Sequence, residues 1–245
     1  MRPPDAYDAF SLVYDLGLGK LFFDGVRPLL ERLERDDPSA GRRHLDLACG
    51  TGLVVRHFRS RGFDSIGLDA SLPMLARARA RGDSVLAADF RDFALRATFD
   101  RITCLYDSLN HVMDEDDLVC VFACVRRVMT TGSLFWFDLN HPASYAAVWG
   151  IREPYIAGAD GWSLSMDTRY DEARNLALAH VTGYCDMEGA RVAIDETHAQ
   201  RAWTEPDVRR LLTAAGLHLV DIIRFNPFGL ARDPDTVVKL MYVVR

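Results

Sequence analysis

Apolar and polar positions change period several times along this 245-residue chain, and each change marks a different kind of element. Over residues 5 to 36, Tyr7, Phe10, Tyr14 and Leu18 recur three or four apart, which predicts two amphipathic helices. From residue 42 short apolar runs alternate with helical stretches. Strands are expected near 43–48, 64–69, 84–88, 101–106 and 133–140, and helices near 52–61, 72–81 and 114–129. Ser71 is placed to cap the second of these helices, with Pro73 in its first turn. Asp114, Glu115, Asp116 and Asp117 open the third, where negative charge complements the helix dipole. This alternation is that of parallel β-α-β units, so the fold class is α/β with a doubly wound sheet.

Beyond the fifth strand the texture differs. Trp162, Leu164, Met166, Thr168 and Tyr170 alternate with polar residues, as do Leu176, Leu178, His180, Thr182 and Tyr184, and then Val192, Ile194, Glu196, His198 and Gln200. Period-2 runs split at 171–175 and at Glu188-Gly189 predict an antiparallel three-stranded insert, read as a cap over the substrate side or, alternatively, as a dimerisation surface. Thr204 then caps a helix that stops at Gly216, and two closing strands, 217–225 and 236–244, bring the main sheet to seven. The organisation is one domain over 1–245: an N-terminal segment 1–36, a core 42–140, an insert 151–203 and a closing unit 204–245.

The most informative run is His44-Leu45-Asp46-Leu47-Ala48-Cys49-Gly50-Thr51-Gly52, followed by Ile66-Gly67-Leu68-Asp69. A strand enters a glycine turn, a helix follows, and the next strand ends on an acid about 20 residues on, the layout by which doubly wound folds hold a nucleoside. Gly50 and Gly52 let the backbone turn tightly beside a ligand, and Asp69 is placed to accept the ribose hydroxyls. Dinucleotide sites carry a third glycine where this chain has Leu53, Val54 and Val55, and a G-x-x-x-x-G-K-[ST] phosphate loop is absent. An adenosyl cofactor without phosphates fits best, namely S-adenosylmethionine.

Asp46-Leu47-Ala48-Cys49-Gly50-Thr51-Gly52 resembles the first motif of class I S-adenosylmethionine-dependent methyltransferases, [DE]-x-G-x-G-x-G. Ala48 stands at the first glycine, a departure tolerable if that residue has negative φ. The D-x-A-C-G-T-G form resembles a variant found in nucleotide-aminosugar N-methyltransferases. The resemblance implies a seven-stranded Rossmann-like methyltransferase sheet, with the N-terminal segment as a lid in which Tyr14-Asp15 matches a recurrent Tyr-Asp. It also implies a cofactor site in which Asp46, Ala48, Gly50 and Gly52 face the methionine moiety and Asp69 the ribose. Asp89 would meet the adenine amino group, Ala70, Met74 and Phe90 the adenine faces, and Tyr106 and Tyr14 would lie against the methionine end.

Composition narrows the acceptor. A net charge of −6 and the lack of any Lys/Arg run argue against nucleic acid. No run of 18 apolar residues marks a membrane span. Five cysteines, odd in number and without a C-x-x-C pair, suit a reducing compartment, so a soluble cytoplasmic protein with a small-molecule substrate is expected. Cys120 and Cys124 are read as small apolar residues on one buried helix stripe.

Methyl transfer is an in-line displacement in which the enzyme supplies alignment and a nucleophile with a free lone pair. No metal is required. An amine is mostly protonated near neutral pH, so a histidine base would help. His111, a few residues past the fourth strand, is the candidate: Tyr106-Asp107-Ser108-Leu109-Asn110-His111 resembles the aminosugar N-methyltransferase segment whose histidine faces the substrate amine. Asn140, Tyr184 and His198, with Tyr14 and His111, are candidate substrate contacts, joined by His180, Arg201 and Trp203. His44, His57 and His218 are read as surface or packing residues. Nitrogen is the preferred acceptor. An O-methyltransferase, a non-catalytic S-adenosylmethionine-binding protein and a nicotinamide-dependent oxidoreductase are the alternatives.

Overall fold

A computed structural model describes residues 7, 9–37, 41–149, 155–187, 189–228 and 239–245. The seven-stranded sheet is there, with β1 (Arg43–Leu47), β2 (Asp64–Asp69), β3 (Val85–Ala87), β4 (Phe99–Cys104), β5 (Met129–Asn140), β10 (Leu219–Phe225) and β11 (Lys239–Val244). Its order is β3-β2-β1-β4-β5-β11-β10, parallel from β3 to β5, with β11 antiparallel to both neighbours. The start of the last predicted strand, 236–238, lies outside the described residues.

Helices cover both faces, and strand periodicity sorts the core between them. Phe135, Phe137 and Leu139 of β5 pack with α4 (Glu115–Val128) and α5 (Glu205–Ala214). Leu134 and Trp136 point the other way, to α1 (Leu18–Asp36) and α2 (Leu53–Ser60). Helix α1 buries Phe22, Val26, Leu30 and Leu33, one stripe at helical spacing. Ser71 caps α3 (Leu72–Ala80) by accepting from Met74 N, and Thr204 caps α5 by accepting from Asp207 N.

Several expectations are corrected. The N-terminal segment holds one long helix rather than two. Ahead of α1 stand two short 3-10 turns, Phe10–Leu12 and Tyr14–Leu16, whose aromatic residues pack on the insert while α1 packs on the sheet. The insert has four strands, β6 (Tyr155–Ala159), β7 (Trp162–Asp171), β8 (Leu176–Met187) and β9 (Ala190–Arg201), in that order. Along β8 the predicted face is inverted: Ala177, Ala179, Val181 and Cys185 are buried, whereas the stripe through Leu178, His180 and Tyr184 is not. On this inner face Val181 and Cys185 pack with Phe10 and Val13 of the N-terminal segment, and Ala177 packs with Tyr145 and Ala202. On α4 Cys124 is buried but Cys120 is exposed, so the stripe runs through Leu118, Val121, Val125 and Val128 instead. None of the described helices is long and apolar enough to cross a membrane.

Candidate active site

The carboxyl ends of β1, β2 and β4 open onto one rim. After β1 the chain turns through Ala48 (φ +53°), Gly50 (φ +53°) and Gly52 (φ +83°). Ala48 therefore lies in the left-handed region, contrary to the negative φ expected for a tolerated alanine. A methyl there costs roughly 1–2 kcal/mol, and the turn imposes it nonetheless. A Cβ on Gly52 would run into the Asp83 carboxylate, which pairs with Arg56, and would sit on left-handed backbone, so glycine is favoured here on both counts. At Gly50 a Cβ would meet only Met74 Sδ at 4.0 Å, which leaves the backbone approachable from the rim. Gly67, unremarked in the sequence, is needed where β2 passes Cys49, whose Sγ a Cβ would meet at 2.5 Å.

Asp69 ends β2 beside this turn and accepts from Gly50 N (2.8 Å) and Ser71 N (2.7 Å). Beneath the turn runs a buried polar chain. Thr103 Oγ1 donates to Asp46 Oδ1 at 2.5 Å, so it accepts from His44 Nε2 (2.9 Å), and Ser65 Oγ lies 2.7 Å from His44 Nδ1. Burial pushes the Asp46 carboxyl up to about 8. His44 is a core residue stacked on Phe58 at 3.8 Å between centroids.

Of the other predicted cofactor residues, Met74 is buried under the turn, Phe90 is half-buried against the core and Ala70 is exposed. Asp89 accepts from Arg91, whose Nε and Nη2 lie 3.0 and 2.7 Å from its two oxygens. Tyr106 (φ +64°) and Asp107 (φ +49°) are consecutive left-handed residues after β4, strain of the kind concentrated at working sites. The Tyr106 hydroxyl donates to Gly19 O (2.9 Å), its ring lies 4.1 Å from Phe22, and Tyr14 closes over it at 6.0 Å. The neighbouring Asp15 accepts from Thr51 Oγ1 (2.6 Å) and pairs with Arg81 (2.5 Å), fastening the lid to the glycine turn.

His111 ends the 3-10 turn Ser108–His111, which the insert's end pins in place. Trp203 Nε1 donates to Leu109 O and Val112 O, Arg201 Nη1 donates to Met113 O, and Asn110 Nδ2 donates to Arg201 O. Arg201 and Trp203 are thus supports for the turn and not pocket walls. His111 Nδ1 lies 3.0 Å from Ala199 O, an acceptor only, so the proton sits on Nδ1 and the lone pair on Nε2. Nε2 faces the Tyr7 hydroxyl (3.2 Å) and Gln200 Nε2 (3.3 Å). Burial lowers the imidazole's affinity for a proton, Asp107 raises it, and the net shift is downward. The ring is thereby held toward its neutral form.

Around it the structure assembles residues that the sequence reading passed over. Lys239, 1% exposed, binds Asp107 Oδ1 (2.6 Å) and Asp138 Oδ2 (2.8 Å). Gln200 donates to Asp107 and accepts from Tyr145 Oη (2.9 Å) and Asn140 Nδ2 (3.0 Å). Glu196 accepts from the backbone N–H groups of Tyr7 (2.7 Å) and Phe10 (2.9 Å) and so ties the lid to β9. His198 packs its ring 4.5 Å from that of Tyr7 and 6.2 Å from that of His111. Asn140 and His198 therefore join the site. Tyr184 does not: it pairs with Ala193, on the strand face opposite to His198, and stacks under Arg191 at 3.7 Å. His180, on that same outer face, meets Asp195. A signal for Lys239 existed, since lysine occurs only twice in the sequence and one stands at the head of an apolar strand.

Known proteins resemble this chain in sequence and in fold. A methyltransferase domain profile matches residues 45–132. The dTDP-3-amino-3,6-dideoxy-alpha-D-glucopyranose N,N-dimethyltransferase of Streptomyces fradiae is 30% identical over 227 residues, 89% of this chain and 85% of the relative. The dTDP-3-amino-3,4,6-trideoxy-alpha-D-glucopyranose N,N-dimethyltransferase of Streptomyces venezuelae is 27% identical over 239 residues, 94% and 96% of the two chains. The crystal structure of an S-adenosylmethionine-dependent methyltransferase from Clostridium acetobutylicum superposes with a TM-score of 0.78 at 23% identity, over 98% of this chain and 99% of that one. The chain belongs to the class I S-adenosylmethionine-dependent methyltransferases. It is an enzyme, its cofactor is S-adenosylmethionine, and an approachable glycine turn with a carboxylate at the next strand end fits that group.

Proposed function

We propose that the methyl acceptor is an amine nitrogen on a small molecule, of the nucleotide-linked amino sugar class for which the Streptomyces relatives are named, and that His111 Nε2 takes the proton the amine gives up. The observation that carries this reading is the lone pair at Nε2, in a ring whose Nδ1–H is spent on Ala199 O. An acceptor arriving as an ammonium meets Asp107, whose charge is also felt at Tyr7, Tyr14 and Tyr145. Asp107 holds the cation, and Nε2 receives its proton and frees the nitrogen lone pair. S-adenosylmethionine, when bound, supplies a methyl activated by its sulfonium. Asp69 and the Gly50 backbone orient the cofactor, Tyr106 and Tyr14 wall its methionine end, and the lid from Tyr7 to Leu16 excludes water. Direct alignment supplies the rest of the acceleration.

Purified protein incubated with S-adenosylmethionine and dTDP-3-amino-3,6-dideoxy-α-D-glucose is expected to methylate the amine, read by mass spectrometry and by NMR of the N-methyl protons. Transfer to a hydroxyl, or none to this or other small amines, overturns the reading. In His111→Ala, kcat is expected to fall about a hundredfold or more, with S-adenosylmethionine affinity by calorimetry unchanged. An unaltered kcat removes His111 from the mechanism.

A further inference from the structure

Gln200 stands between the strongest charge of the chamber and its base. Its carbonyl accepts from Tyr145 Oη and Asn140 Nδ2, which settles the orientation of the amide: flipped, its NH2 would oppose the Asn140 NH2 and its oxygen would oppose the Asp107 carboxylate. Its NH2 therefore points into the chamber, one hydrogen to Asp107 Oδ2 and the other to His111 Nε2. The side chain is buried at 4% exposure, so water does not compete for these bonds.

We propose that Gln200 is a positioning residue that fixes His111 in its Nδ1–H form and so keeps Nε2 the proton-accepting atom. The proposal rests on the reading of His111 as the base. In the resting site a donor aimed at Nε2 favours a bare lone pair there, as the Ala199 carbonyl favours a proton on Nδ1, and the amide turns aside when Nε2 takes up the proton of the acceptor. Gln200 also separates the ring from Asp107. Were that carboxylate to meet Nε2 directly, it would draw a proton onto it and leave an imidazolium that cannot accept another. The remaining groups facing the ring are Tyr7 from the lid, His198 from β9 and Lys239 from β11. None of these supplies the amide's combination of a donor for His111 and a donor for Asp107.

The test reads the ring itself by nitrogen-15 NMR of the full chain, with His111 assigned by its absence in His111→Gln. At pH 8 the wild type is expected to show a protonated Nδ1 and a bare Nε2. In Gln200→Glu an acceptor replaces the donor, so Nε2 becomes protonated and the midpoint of the His111 titration rises by about one pH unit or more. Gln200→Met, similar in size and without donors, serves if the glutamate variant does not fold; the Ala199 carbonyl still holds Nδ1–H there, and loss of the donor that favours a bare Nε2 is expected to raise the midpoint. An Nδ1–H form and a midpoint that stay as in wild type, in whichever variant folds, overturn the proposal. No acceptor is present in this measurement. Unmoved spectra with a crippled His111→Ala enzyme reject Gln200 alone, whereas an unimpaired His111→Ala enzyme rejects the base whatever the spectra show.

Discussion

At the scale of single residues, the site is built from conformations and protonation states that the fold imposes. Ala48 is held at φ +53° where the motif's glycine would rest without strain. Ala48→Gly is expected to raise unfolding stability by about 1 kcal/mol, the left-handed penalty less the greater freedom of an unfolded glycine, seen as a higher urea midpoint at unchanged slope. His44 carries a pH dependence. Burial, with the charges of His57 and Arg101, holds its imidazole well below the ordinary value, so the unfolded chain takes up a proton near pH 6.5 and the folded chain does not. Its contribution is therefore complete above about pH 6.5 and is lost progressively as pH falls below it. In His44→Gln the decline in urea midpoint between pH 7 and 5 is expected to be shallower by the uptake of about one proton. An identical slope would show that another group governs the acid limb.

Between elements, charge does what the apolar pattern cannot. Lys239 joins β11 to the end of β5 through Asp138 and to the turn after β4 through Asp107, so the antiparallel strand takes part in shaping the active-site rim. Lys239→Met leaves two carboxylates facing one another in a buried place and is expected to cost about 3–5 kcal/mol in chemical denaturation. Pairing it with Asp138→Asn should recover much of that loss. Such links explain what was legible in the sequence and what was not. Strand runs, Ser71, Thr204 and the Gly50–Asp69 spacing are local signals, and the parallel core and cofactor turn followed from them. The outer stripe of β8 misled because Leu178 and Tyr184 out-weigh Ala177 and Ala179 in hydrophobicity, while what buries the inner face comes from far along the chain: Phe10 and Val13 on Val181 and Cys185, and Tyr145 on Ala177. Gln200 lies 55 residues from Tyr145, Lys239 101 from Asp138 and Tyr7 104 from His111 along the chain, and no period announces a contact of that kind. His111 was visible only through the segment it resembles.

For the molecule as a whole, the segment ahead of α1, read above as a lid, bridges the glycine turn and the insert. Asp15 fastens it to Thr51 of the cofactor turn and to Arg81 after α3, while Glu196 fastens its other end to the insert. Asp15→Ala is expected to weaken S-adenosylmethionine binding about tenfold, the worth of one charge-assisted bond, with the far-ultraviolet circular dichroism unchanged. Calorimetry checks it, and an unaltered affinity would confine the lid's influence to the acceptor side. Tyr7 and Asp15, eight residues apart on one short segment, touch the base at one end and the nucleoside turn at the other. Traffic through one doorway is thereby tied to traffic through the other: whatever frees this segment from the glycine turn also loosens its hold at the insert, so departure of a spent cofactor and departure of a methylated product are expected to be coupled.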